Sequence, residues 1–165
     1  MLIDEKFKRK RGKYIFQCFL ATSAISIVLV FLDVLNETAI IASLGATVFI
    51  IFTMPHSYLA RNKCVFGGYL ISMVIGIFCR LMLDSFLSGI SMIDKAMLVL
   101  LGSIAVGLST FMMVITDTEH APAAGIALGL VINEWDYLTL LFIILAITLF
   151  VFVKTLLKSW MVDLI

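Results

Sequence analysis

The sequence predicts an all-α polytopic membrane protein. Of its 165 residues 62% are apolar and only 14% are charged, with a mean hydropathy of +1.15. A soluble domain averages nearer half apolar and about a quarter charged. The apolar residues fall in runs of membrane length, and the charges sit between those runs. Open sheet edges cannot face lipid and no alternating strand pattern is visible, so the spanning elements are helices.

Lys6, Lys8, Arg9, Lys10, Arg11 and Lys13 precede a first apolar run from Tyr14 to about Leu35. That run is too long for a signal core and lacks a small-residue cleavage site, so it reads as a retained first helix. Asp33, Asn36 and Glu37 mark the next turn. A second, short run, Ala39 to Met54, stops at Pro55, which disfavours helical geometry at Met54. The third, Cys64 to Leu83, is interrupted only by Arg80, and Asp84 to Lys95 forms the next polar connection. Ala96 to Ile115 is a fourth span, the stretch TDTEHAP follows, and a brief fifth run ends at Ile132. Leu138 to Val153 is the last. These runs predict six membrane helices or half-helices, two of them short and broken. The implied organisation is a basic N-terminus (1–13), a transmembrane domain (14–153) and an interfacial tail (154–165) in which Lys158 and Trp160 anchor an amphipathic segment.

Six crossings with both termini in the cytoplasm put ten of the twelve Lys and Arg residues on the inner side, as the positive-inside rule requires. The expected location is therefore an inner (cell) membrane. A re-entrant 119–132 segment is the competing reading. Cys18, Cys64 and Cys79 form no disulfide framework and read as thiols among helices or lipid tails.

Gly68, Ser72 and Gly76 recur every fourth residue on the third run, and Ala121, Gly125 and Gly129 do so on the fifth. Such trios share one helical face and let backbones approach closely. Packing inside the monomer is the plainer reading; a homo-oligomer interface is the alternative. A faint internal repeat also appears. GATVFIIFT holds Thr47 and Thr53, GLSTFMMVIT holds Thr110 and Thr116, and each segment ends in a Pro-containing break. Interrupted helices in matching places point to a transporter site between hairpins related by a pseudo-twofold axis.

Candidate binding residues cluster at the two breaks. Ser57 can cap the third helix, with Arg61 and Lys63 in its opening turns, and helix N-termini of this kind attract anions. Asp117 or Thr118 can cap the fifth. His120 then stands at a helix start, where a neutral imidazole can offer an N–H to an oxyanion. If the second break dips inward, His56 and His120 converge. Glu119 opposes anion binding unless it caps the helix or pairs with Arg61. Arg80 invites a functional reading, but Asp84 lies one turn on and a local ion pair explains it equally well. No catalytic, phosphate-loop or zinc motif is present, so no enzyme activity, cofactor or metal is expected, and the short basic N-terminus gives no reason to expect nucleic acid.

At these breaks the sequence resembles the HPP family of integral membrane proteins, named for a His-Pro-Pro motif. TDTEHAPAAGIALGL is similar to the family's T-x-T-x-H-P-P-A-A-G segment. A second match runs from Pro55 through Ser57 and Ala60 to Gly67, Gly68, Ser72 and Gly76. Ala121 replaces the first proline, Lys63 or a shifted Ala-Arg-Asn replaces the usual Pro-Arg-Asn, and Tyr69 stands where a histidine is usual. The resemblance implies four membrane-spanning helices and, since members are linked to nitrite transport in chloroplasts and cyanobacteria, a small-anion pathway. On that expectation Thr47, Thr53, Thr110 and Thr116 line the path, His56 and His120 hold or sense protons, and Arg61 and Lys63 concentrate the anion. The partners expected are the lipid bilayer and a small anion, nitrite first. A non-transporting structural or regulatory membrane protein is the second reading, and a metal-dependent membrane enzyme the third.

Overall fold

The computed structural model describes residues 5–30, 38–86 and 92–164. Every regular element among them is helical: α1 (Glu5–Leu29), α2 (Thr38–Thr53), a 3-10 turn (Tyr58–Ala60), α3 (Asn62–Phe86), α4 (Met92–Ile115), α5 (Ala121–Ile132) and α6 (Tyr137–Leu157). The all-α reading therefore holds, and each expected run has its helix. α1 starts earlier than Tyr14 because Glu, Lys and Arg continue a helix readily, with non-helical geometry at Lys10 marking a kink. The expected turn at Asp33, Asn36 and Glu37 lies outside the described residues.

Four helical stretches are long and apolar enough to cross a membrane: Arg9–Leu29, Asn62–Ser85, Lys95–Ile115 and Tyr137–Leu157. At 1.5 Å per residue, α2 is only ~24 Å long and α5 ~18 Å, against a hydrocarbon core of ~30 Å. Four full spans and two short helices reconcile the six runs with the four spans the resemblance implies. The long helices turn apolar side chains outward, among them Phe19, Val74, Phe78, Phe111 and Phe152. In water such a belt would be an aggregation surface; in a bilayer it is solvated.

α5 lies inside. Its Ala123, Ile126, Ala127, Leu130 and Val131 are wholly buried, as an all-round apolar helix requires. Gly68 of α3 lies against His120 and Gly76 against Ala127, while the Arg80 guanidinium reaches the carbonyls of Val131 and Asn133. These pairs rise together along both chains, so α3 and α5 run parallel. Against α2 the order reverses: Thr47 meets His120, Ser43 meets Gly125 and Ile40 meets Gly129. α5 therefore runs antiparallel to α2, in one direction throughout its length.

The small-residue faces are spent inside the monomer. Gly68 and Gly76 seat α5, while Gly125 and Gly129 seat α2. Ala121 is exposed and takes no part. Ser72 is wholly buried on the α3 stripe, with no hydrogen-bond partner for its hydroxyl.

The tail departs from the expected amphipathic anchor. After a turn at Lys158–Trp160 the chain runs on without helix, burying Met161 and Leu164. Gln17 explains why: its amide donates to Val162 O (2.9 Å) and Phe52 O (2.6 Å) and accepts from Val162 N (3.1 Å). Leu164 N donates to Thr53 O (2.8 Å), Tyr14 OH donates to Leu164 O (2.7 Å), and Lys13 Nζ donates to Trp160 O. A tail satisfied by α1 and α2 has no need of helix. These bonds put the start of α1, the end of α2 and the tail on one face, together with both breaks.

Candidate functional site

The first break forms as proline dictates. α2 stops at Thr53, and Ser57 N closes a turn on Met54 O (3.0 Å) with Pro55 at its second position. Arg61 N then closes the 3-10 turn on Tyr58 O (3.0 Å), and α3 begins at Asn62. Ser57 does not cap α3, because the intervening 3-10 turn separates them; its buried hydroxyl has no partner. What satisfies this junction is Lys154 of α6. Its ammonium, on a residue only 3% exposed, donates to Ala60 O and Asn62 Oδ1, both at 2.5 Å.

The second break is a Schellman stop. Thr118 N bonds Met113 O (3.0 Å) and Asp117 N approaches Val114 O (3.4 Å), with Asp117 at φ 57° in the left-handed position usually given to glycine. Asp117 therefore ends α4 rather than capping α5. Thr118 bonds the hydroxyl of Thr116 (2.7 Å), so the N-cap position of α5 falls to His120. An aspartate tolerates the left-handed backbone, and here its carboxylate has work to do. It accepts from Tyr58 OH (2.6 Å) and from Lys63 Nζ (2.8 Å), which clasps the two breaks together. The Lys63 bond first, then that of Tyr58, holds its carboxyl below the usual carboxylate range, while Asp117 and then Glu119 push the Tyr58 hydroxyl upward. Arg61 lies over the Tyr58 ring, 4.8 Å from its centroid.

Below this clasp His120 is wholly buried. Its Nδ1 lies 3.0 Å from Leu59 O and its Nε2 2.9 Å from Thr47 Oγ1, which in turn lies 2.8 Å from Tyr69 Oη. A carbonyl only accepts, so Nδ1 carries the proton and the Nε2 lone pair accepts from Thr47 OH. Thr47 then accepts from Tyr69 OH. Both ring nitrogens are engaged with protein, so in this state His120 offers no spare N–H to an oxyanion.

The other candidates are placed elsewhere. His56 is exposed and bound to the tail: its N–H donates to Asp163 Oδ1 (3.0 Å) and its ring approaches the same oxygen (3.6 Å). It does not converge with His120. Thr53, Thr110 and Thr116 return their hydroxyls to carbonyls one turn back, and Thr110 faces outward. Of the four threonines only Thr47 reaches the buried site. Arg80 pairs with Asp84 (2.9 Å), the local ion pair that is one of its two readings, and also caps the C-terminal carbonyls of α5. Cys64 and Cys79 are buried and Cys18 is exposed, all free. Among the described residues no three His, Cys, Asp or Glu side chains converge as metal ligands.

A profile described as HPP, transmembrane region, matches residues 7–162. The chain belongs to the HPP family. No curated protein and no solved structure matches it. The family motif can now be read physically. The histidine of the HPP segment is the buried hub, and Pro122 sits in the first turn of α5, where a missing N–H costs nothing. Ala121, which replaces the first proline, is exposed at the helix's first position, so that exchange leaves the hub intact. Tyr69, where the HPP pattern usually has histidine, supplies the outer hydroxyl of the network.

Sequence reasoning missed Lys154 and the role of Tyr69. Lys154 was counted among interfacial bases, although it is flanked by Phe152, Val153, Leu156 and Leu157. A lone lysine inside such a run was the available signal.

Proposed function

We propose that this HPP protein is a channel or transporter for a small inorganic anion, nitrite first, in an inner membrane with both termini cytoplasmic. The observation that carries the reading is Lys154. Among the described residues its buried ammonium has only neutral oxygens as acceptors, and it lies at the start of α3, where the helix dipole adds positive potential. A cation in a low-dielectric interior, without a carboxylate, favours an anion beside it. α5 supports the same reading. It starts inside the bundle, parallel to α3, so two helix N-termini open toward one face, an arrangement that transporters use for anionic groups. Arg61 and Lys63 at that face raise the local anion concentration, while Asp117 is neutralised by Lys63. Nothing in this arrangement calls for bond-breaking chemistry, and the reading is transport rather than catalysis.

Flux of nitrite, nitrate, formate and chloride into proteoliposomes, set against empty vesicles, tests it. Protein-dependent nitrite uptake is expected, falling at least several-fold in Lys154→Met, which keeps the apolar stem and removes the charge. No protein-dependent flux of any of the four anions would overturn the proposal in favour of a structural or regulatory membrane protein.

A further inference from the structure

The buried network at His120 can be saturated in two directions. In the first, Tyr69 OH donates to Thr47, Thr47 OH donates to Nε2, and Nδ1–H donates to Leu59 O. In the second, Nε2–H donates to Thr47, Thr47 OH donates to Tyr69 Oη, and Tyr69 OH turns to Ser43 O, which already lies 3.4 Å away. Every donor finds an acceptor in both, and the second differs by one added proton on the imidazole. A histidine that only ties helices together needs one saturated arrangement. This one has two, and the acceptor needed for the second is in place on α2.

We propose that His120, Thr47 and Tyr69 form a reversible proton-binding site at the buried start of α5, through which anion movement is coupled to proton movement. The coupling rests on the anion reading above; the proton site does not. The step is a hop along existing hydrogen bonds. Tyr69 is wholly buried here, so the step belongs to a state in which water reaches it. There Tyr69 Oη takes a proton from a hydronium ion, the original Tyr69 O–H bond breaks as Thr47 Oγ1 gains that hydrogen, and the original Thr47 O–H bond breaks as Nε2 gains the last. Water is left behind, His120 carries one more proton, and the chain has reversed.

The ionisable groups around the site leave room for this role. From α3 come Tyr69 and, at its start, Lys63 and Cys64; from the 3-10 turn Tyr58; from α6 Lys154. The histidine's own segment brings Asp117 and Glu119, and α2 brings only Thr47. Asp117 is occupied by Lys63 and Tyr58 and so supplies no ready counter-ion, Glu119 acts on the Tyr58 hydroxyl, and the Lys154 ammonium, held by Ala60 and Asn62, is a cation that opposes an imidazolium. A buried imidazolium without a counter-ion is costly, and an arriving anion lowers that cost. By reciprocity the proton then tightens anion binding, and the two move together.

The experiment uses the full chain in liposomes, with nitrate as well as nitrite as probe, since nitric acid does not cross as the neutral acid. Anion uptake and internal pH are recorded separately, and the two histidine rings are followed by 15N NMR in the same lipid. An inward proton gradient should speed anion uptake several-fold and the interior should acidify with it. Thr47→Val should lose at least tenfold of that acceleration and shift the His120 titration, while Thr47→Ser, which keeps the hydroxyl, should retain both. Anion flux indifferent to the gradient would overturn the coupling and leave the anion reading standing. A His120 ring that never titrates in folded wild-type protein, or whose titration is the same in folded Thr47→Val, would overturn the proton site. Absent anion flux with a His120 titration that moves in Thr47→Val would support the site while the transport reading fails.

Discussion

α5 is held by two seams built from the same kinds of small residue, and the two differ in what meets across them. Along α3 the contact at Gly76 is with backbone, while at Gly68 it is shared between the Thr118 carbonyl and the His120 and Met113 side chains. A Cβ on Gly76 would stand 2.9 Å from Ala127 O and 3.1 Å from Ala127 Cα, and one on Gly68 3.1 Å from Thr118 O. Along α2 the contact is with side-chain ends. A Cβ on Gly125 would run into the Ser43 hydroxyl, and one on Gly129 would meet Ile40 Cγ1 at 2.9 Å. The parallel seam is therefore fixed by shape, because a carbonyl on a packed helix cannot step aside. The antiparallel seam can yield, and it also carries Thr47, whose hydroxyl reaches His120, while Tyr69 completes the network from α3.

The largest expected effect tests the rigid seam. Gly76→Ala should destabilise the folded protein by about 2–3 kcal/mol, the upper range for forcing a methyl into a packed interior. Chemical unfolding in detergent followed by circular dichroism measures it. His120→Ala should come next, at about 1–3 kcal/mol, because it strands the buried Leu59 carbonyl and the Thr47 hydroxyl. It should also cut anion flux several-fold, which Gly76→Ala at equal folded fraction should not. Gly125→Ala sharpens the contrast from the other side. It should cost less, about 1 kcal/mol at the low end for a forced methyl, and Ser43→Ala in the same chain should recover most of that by removing the hydroxyl it meets. Equal losses in Gly76→Ala and Gly125→Ala would abolish the distinction between the seams.

The helices were legible because hydropathy responds to lipid, and lipid surrounds most of this chain. Both glycine stripes were legible for a related reason: four-residue spacing survives whatever packs against it. What covers each stripe was not. Nothing local to Gly76 or Gly125 says that one faces a backbone and the other a serine. The site was half legible. His120 stood out through its break and its motif, and Thr47 through a faint repeat. Thr53, Thr110 and Thr116 share the repeat, but their hydroxyls had a nearer acceptor one turn back in the helix. The repeat itself pairs a short helix followed by a long one with a long helix followed by a short one. The two hairpins therefore place their matching threonines in unlike surroundings. Lys154 was hidden by its position, since a base near the end of a last span is ordinarily an interfacial anchor.

The smallest expected effect concerns the clasp above both seams. Asp117 is exposed, and its carboxyl is held below the ordinary range by Lys63 and Tyr58. A carboxylate whose folded pKa is depressed adds stability above its unfolded value of ~3.9 and loses it as pH falls through the folded value. Asp117→Asn keeps the left-handed backbone and removes the charge. Its thermal midpoint should lie below wild type at neutral pH, and the gap should close as the pH is lowered through the folded value. Asp117→Gly separates backbone from charge: it keeps the Schellman stop, so any loss it shares with Asp117→Asn belongs to the clasp. A gap unchanged across that window would mean the Asp117 carboxylate contributes only its shape, and the two breaks are joined by His120 and Leu59 alone.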